Sequence, residues 1–263
     1  MNYDCIFWDW NGTLLDDTDY CIKTVNKSIE KRGLPFLDKK RYYEIFRFPV
    51  IDYYVDLGFD FTKESYDDLA VEFNVNYVNS SNELKLRKEA KEVLEVFHGK
   101  NLSQYVLSAS ESKVLKDALK FYGIEKYFSA ISTSDDYRAS GKVERGKLFA
   151  KEVADGKKIL LVGDSKHDLD TANAMGADCV LIKGGHTSDE KLSSLNVPII
   201  DDLYGLYSIV IGTKKGSYSV SRIKTSDMER YSFDINEAEP KNFVTSYKAF
   251  YDDLKNTNKT EDW

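Results

Sequence analysis

From about residue 83 onward, short and almost wholly apolar runs alternate with amphipathic stretches, and each run stops abruptly at a polar residue. Lys158-Ile-Leu-Leu-Val-Gly163 is the plainest case; Gln104-Tyr-Val-Leu-Ser108, Ser129-Ala-Ile-Ser-Thr133, Cys179-Val-Leu-Ile182 and Val197-Pro-Ile-Ile200 follow the same rule. Cys5-Ile6-Phe7-Trp8, ending at Asp9, belongs with them although it lies far upstream. A strand with no polar face must be covered on both sides. Between these runs the spacing predicts helices near 88–98, 111–122, 143–154 and 166–175, which supply that cover. Strands and helices in this order imply an α/β fold, a Rossmann-like parallel sheet sandwiched by helices.

One block breaks the alternation. From Thr18 the apolar positions Cys21, Ile22, Val25 and Ile29 recur at helical intervals, until Gly33-Leu34-Pro35 ends the pattern. Further helices are expected at 38–46, 49–57 and 62–79, with no convincing strand among them, and Asn79-Ser80-Ser81-Asn82 reads as the return linker. The expected organisation is therefore a core of residues 1–16 and 83–211, an inserted all-helical cap at 17–82, and a C-terminal extension at 212–263. Within the extension, 216–223 has the look of one more strand and 242–254 of a helix carrying Phe243, Tyr247 and Phe250.

Composition narrows the classes. A formal charge of −7 disfavours non-specific binding to nucleic acid or to an anionic membrane. The three cysteines, Cys5, Cys21 and Cys179, are widely spaced and fit no metal-ligand pattern, so they read as buried thiols in a reducing compartment. No stretch approaches a membrane span, and the first residues lack the basic segment of a signal peptide. The expectation is a cytoplasmic protein.

A parallel sheet gathers the carboxyl ends of its strands along one edge, where ligands bind. Here those ends deliver Asp9, Ser108, the Ser140-Gly141-Lys142 segment and Val162-Gly163-Asp164-Ser165-Lys166-His167-Asp168. Two acids, a hydroxyl and an ammonium suit phosphoryl transfer. Asp9 can attack phosphorus, and Asp9 with Asp164 can hold magnesium. Ser108, Thr13 and the amides of the 10–13 turn can donate to phosphoryl oxygens, and Lys142 can neutralise the charge shared by Asp9 and phosphate. Lys142 is preferred to Lys147 because it stands before the helix, and Ser108 to Ser110 because it ends the strand. Gly141 to Lys147 fits the spacing of a nucleotide P-loop, but Leu148 stands where a metal-binding hydroxyl is needed and Glu144 would lie in the phosphate cradle. His167 is expected to be solvated. For Asp16-Asp17, a hinge or helix cap and a substrate contact both remain open.

With these residues in order, the chain resembles the haloacid dehalogenase superfamily, in its phosphoglycolate-phosphatase-like branch. Asp9-Trp10-Asn11-Gly12-Thr13 is similar to the first motif, D-x-D-x-T, except at Asn11; Ser108, Lys142 and the Gly163–Asp168 stretch match the second, third and fourth. The resemblance covers about residues 3–210 and implies a Mg2+-dependent phosphatase that works through an aspartyl-phosphate. It also implies a metal site of Asp9, Asp164 and Asp168 with the backbone carbonyl of Asn11, and a cap that closes over a small phosphorylated metabolite. In the family the second acid of the first motif carries the proton for the leaving group. An amide cannot do so, which forfeits a contribution of about 10²–10⁴-fold. The enzyme is then expected to be slow on alkyl phosphates and to tolerate good leaving groups. The other reading is a phosphate-binding or regulatory protein with little turnover, its extension meeting a protein partner. Lys23 or Lys27 as a Schiff-base lysine, the device of the phosphonate-cleaving branch, is a remote option.

Overall fold

The computed structural model describes residues 1–79, 83–134 and 141–212. The expected linker residues 80–82, Ser140 with its neighbours 135–139, and the strand and helix expected in the extension lie outside the described residues.

Six parallel strands form the central sheet: β1 (Cys5–Trp8), β4 (Ser103–Glu111), β5 (Ala130–Ser134), β6 (Ile159–Gly163), β7 (Asp178–Ile182) and β8 (Ile199–Ile200). Their order is β5-β4-β1-β6-β7-β8. After β5 the chain crosses β1 to start the other half at β6, so the order reverses beside β1. That reversal opens a crevice at the strand ends. All four residues of β1 are fully buried. Ile6 and Trp8 face a cluster containing Leu94 and Phe97, whereas Cys5 and Phe7 face one containing Tyr105 and Phe149. Alternate side chains thus feed opposite layers, the two-sided cover that a wholly apolar strand demands.

Four helices follow β1 in the chain: α1 (Thr18–Lys31), α2 (Lys39–Ile45), α3 (Val50–Leu57) and α4 (Tyr66–Asn79). They enclose a third cluster that includes Ile22, Val25, Ile29, Tyr42, Tyr53, Tyr54 and Leu69. A two-stranded antiparallel ribbon, β2 (Leu15–Asp16) against β3 (Lys85–Leu86), pairs the segments on either side of this block. Strands of two residues are too short for an alternation pattern, and the sequence did not reveal them.

The remaining helices are α5 (Ala90–Gly99), α6 (Ser112–Phe121), α7 (Lys142–Ala154), α8 (Lys166–Met175) and the short α9 (Asp189–Ser193), which was not expected. α7 begins at Lys142 itself, after Gly141 at φ +70°. Lys142 is thus the first residue of the helix rather than a residue before it, and the P-loop-like spacing is simply helix. Gly146 has a packing reason. A methyl group there would come within 2.8 Å of Thr171 Cγ2 and 2.9 Å of Leu107 Cδ2, where α7 lies against α8 and β4. Among the described residues no helix is long and apolar enough to cross a membrane.

Candidate active site

Asp9 leaves the buried end of β1, its N–H donating to the Val162 carbonyl of the adjacent strand at 2.9 Å. The next residues turn sharply, with the Thr13, Leu14 and Leu15 amides all donating to the Trp10 carbonyl. Gly12 is required here: its φ is +73°, and a Cβ would fall 2.2 Å from Asp164 Oδ2. Arg87, just past the far strand of the ribbon, secures the same turn, its Nε donating to the Gly12 carbonyl at 3.1 Å.

The polar groups then converge. Lys142 donates to Asp9 Oδ1 and to Asp168 Oδ1, and the Thr13 hydroxyl donates to Asp9 Oδ2 at 3.1 Å. Asp168 Oδ2 accepts from the amides of Asp164 and Ser165 at 3.2 and 3.1 Å and from the Ser165 hydroxyl at 2.6 Å. Asp168 therefore fastens the start of α8 and holds Lys142 in place. Asp164 Oδ2 accepts from the His186 amide.

Electrostatics tells these acids apart. Burial pushes Asp9 up to about 7 against the pull of the Lys142 ammonium, with Asp168 and Asp164 adding to the rise. Burial likewise takes Asp164 up to about 6, opposed by His186. For Asp168 burial is outweighed by Lys142 and by its hydrogen bonds, and it stays below the usual carboxylate range. Three buried carboxylates answered by one ammonium leave negative charge uncompensated. Ligand oxygens of Asp9, Asp164 and Asp168 lie within 4.8 Å of one another. An all-oxygen donor set of this charge suits a hard divalent cation such as magnesium, so the residues present fit that group.

The other motif residues take particular places. β4 is irregular between Leu107 and Glu111, a distortion that re-aims side chains at a strand end. Ser108 is nearly fully buried; its hydroxyl accepts from the Ser110 amide at 3.0 Å and its carbonyl accepts from Arg145 at 2.8 Å. It is Ser110, with Ala109 and Glu111, that lines the cavity beside Asp9.

Asn11 is clamped. Its Nδ2 donates to Asp17 Oδ2 at 2.7 Å and to the Tyr77 hydroxyl at 3.2 Å, and its Oδ1 accepts from the Ser110 hydroxyl at 2.6 Å. Asp17 is fully buried and makes no helix-capping bond; besides Asn11 it accepts from the Gly12 amide at 2.8 Å, the Tyr77 hydroxyl at 2.8 Å and His186 Nε2 at 3.2 Å. His186 Nδ1 lies 2.7 Å from the Tyr42 hydroxyl. For Asp17 the cost of burial is overcome by His186, Asn11 and Tyr77, which bring it to about 2; for His186 burial is overcome by Asp17, which raises it to about 9. A buried aspartate–imidazolium pair thus stands directly behind Asn11. Sequence reasoning left Asp17 between two roles, set Ser110 second to Ser108, and missed His186, Tyr77 and Arg87. Only Asp17 carried a signal, an acid directly before a helix. Nor is His167 solvated: it is half-buried, lines the cavity and stacks on Phe48 at 4.3 Å between ring centres. Lys23 is exposed and paired with Glu83, and neither it nor Lys27 lines the cavity.

A haloacid dehalogenase-like hydrolase family model matches residues 6–182. A phosphoglycolate phosphatase of Vibrio parahaemolyticus is 24% identical over 216 residues, covering 75% of this chain and 91% of the relative. A 5'-nucleotidase of Pseudomonas aeruginosa is 23% identical over 197 residues, covering 73% and 88%. Among solved structures, CbbY of Rhodobacter sphaeroides in complex with phosphate superposes with a TM-score of 0.60 at 16% identity, covering 76% of this chain and 94% of that one, which shows a shared fold. On the strength of the family match, the chain belongs to the haloacid dehalogenase-like hydrolases.

Proposed function

We propose that this hydrolase is a magnesium-dependent phosphatase of a small phosphorylated metabolite, acting through an aspartyl-phosphate on Asp9. The observation that carries the reading is the placing of Asp9: a buried strand-end carboxylate with Lys142 on one oxygen, Thr13 on the other, and Asp164 and Asp168 within ligand distance. The names of the relatives, a phosphoglycolate phosphatase and a 5'-nucleotidase, support phosphate ester chemistry and diverge on the substrate.

In this reading Asp9 and Asp164, with Asp168 and the Asn11 carbonyl, would hold the cation, which would screen the charge of carboxylate and phosphate. Asp9 attacks phosphorus, helped by Lys142, which offsets negative charge on both partners. Thr13, Ser108 and the amides of the turn donate to the phosphoryl oxygens. Water then attacks the aspartyl-phosphate and Asp9 is regenerated. Asp168 positions Lys142 throughout. The helical segment acts as a cap, confining the site to small substrates, and three free thiols fit a cytoplasmic setting.

The test is hydrolysis of acetyl phosphate with magnesium. Wild-type protein should turn it over and Asp9→Asn should not; equal rates from both would refute the proposal. The clamp on Asn11 favours one second reading, a phosphate-binding protein with little turnover, because no titratable group occupies the place of the proton carrier. Tight phosphate binding without any hydrolysis of acetyl phosphate would select it.

A further inference from the structure

The cavity beside Asp9 measures about 190 Å³, and away from the strand ends its wall is built of rings. Phe46, Phe48, Tyr53, Tyr54, Tyr66 and Phe73 all line it. Rings that served only as core would close on one another; these leave a space that runs to the acids. One polar group in the wall is also unfinished. Tyr53 is 2% exposed, and its hydroxyl has no hydrogen-bond partner among the described residues. Buried hydroxyls are nearly always paired, so a ligand that completes this one is to be expected.

The charges of the wall are as telling. Among the described residues, Lys142 is the only lysine or arginine that lines the cavity, and Asp9 and Asp168 already occupy it. His186 is committed to Asp17, and His167 stacks its ring on Phe48. Glu111 adds a further carboxylate, bound to the Lys113 and Val114 amides at 2.9 and 3.0 Å. A substrate with a second anionic group, such as a carboxylate or another phosphate, would meet acids and, among the described residues, no cation that is not already paired with one. Such a mismatch excludes ligands more strongly than any single contact attracts them.

Resting on the phosphatase reading above, we infer that the substrate is an aryl phosphate: a phosphate monoester whose oxygen is carried by an aromatic ring and which bears no second anionic group. The ring lies among the cap aromatics, and Tyr53 donates to a substituent at its far end. The choice agrees with Asn11. When Asp9 attacks, the P–O(aryl) bond breaks and the phenolate leaves with the electron pair, stable enough to depart unprotonated and to take its proton from solvent. Water then attacks phosphorus and the P–O(Asp9) bond breaks. The carboxylate is restored and dihydrogen phosphate released, both protons of the water staying on it. No titrating group at position 11 is needed in either step.

Two measurements test this. With magnesium, kcat/KM for phenyl phosphate should exceed that for phosphoglycolate and for pyrophosphate by at least about 100-fold, and Phe48→Ala should raise KM for phenyl phosphate about two- to tenfold more than it raises KM for acetyl phosphate. Parity between phenyl phosphate and either competitor with a second anionic group, or an unchanged KM in Phe48→Ala, would overturn the inference while leaving the phosphatase reading intact. Should turnover fail altogether, calorimetry with phenylphosphonate and methylphosphonate still decides. At least tenfold tighter binding of the phenyl compound supports the ring site, and equal binding sinks it.

Discussion

Asn11 donates to Asp17 where a carboxylate would have to repel it, and this reverses the simplest expectation about position 11. Asn11→Asp alone would set a half-buried carboxylate about 2.7 Å from the buried one of Asp17, and one of them would have to stay protonated. Its expected effect is a loss of about 1–3 kcal/mol, the usual penalty for a broken buried polar contact, read as a lower midpoint in urea. Adding Asp17→Asn restores a donor–acceptor pair with its polarity exchanged. The double variant should recover part of that stability and should gain on alkyl phosphates, by up to about 10²-fold. A double variant no more stable than Asn11→Asp would show that the contact is not what fixes the amide. The first, second and fourth motifs were legible because each is a short local string at the end of an apolar run, and the third because Gly141-Lys142 opens a helix. The grip on Asn11 was not: it joins residues 11, 17, 77, 110 and 186, and no local pattern marks contacts across such separations.

At the scale of elements, segments with an apolar run or a helical period were readable, even the two-residue β8, and those without one were not. β6 and α8 stand within a residue of where their patterns put them, Ile159–Gly163 and Lys166–Met175, because a buried strand is continuously apolar and a helix keeps its period. β2 and β3 escaped because pairing, not composition, makes them strands. Start positions were weaker: Lys142 was placed before its helix, although Gly141 in a left-handed conformation marks the boundary. Packing between elements yields a direct test. Gly146→Ala forces a methyl group into the contact of α7 with Thr171 and Leu107. Overpacking of this kind costs about 1–3 kcal/mol, so the variant's urea midpoint should fall with its m-value unchanged, whereas an unaltered midpoint would mean that α7 can shift at no cost.

Across the whole molecule, the pair behind the site ties stability to pH. His186, raised to about 9, stabilises the fold fully below its ordinary value of 6.5, and the contribution is lost as pH rises through about 9. Asp17, lowered to about 2, contributes above its ordinary 3.8 and loses that contribution as pH falls through about 2. In chelator, the melting-temperature gap between wild type and His186→Asn should therefore be widest between about pH 4 and 6.5 and should narrow towards pH 9. A gap that widens with alkalinity would mean the imidazole is neutral in the folded protein. The β2–β3 ribbon has a consequence of another kind. Because Leu15 stands opposite Leu86 and Asp16 opposite Lys85, the chain departs from the sheet and comes back to it through one doorway two residues deep. Whatever lies beyond that doorway can be lengthened, recomposed or exchanged without moving a strand. If the sheet carries the chemistry and the helical block the recognition, as proposed, the first can stay fixed while the second is rewritten as a cassette, and kinship in the sheet then says little about what the rings beyond it hold.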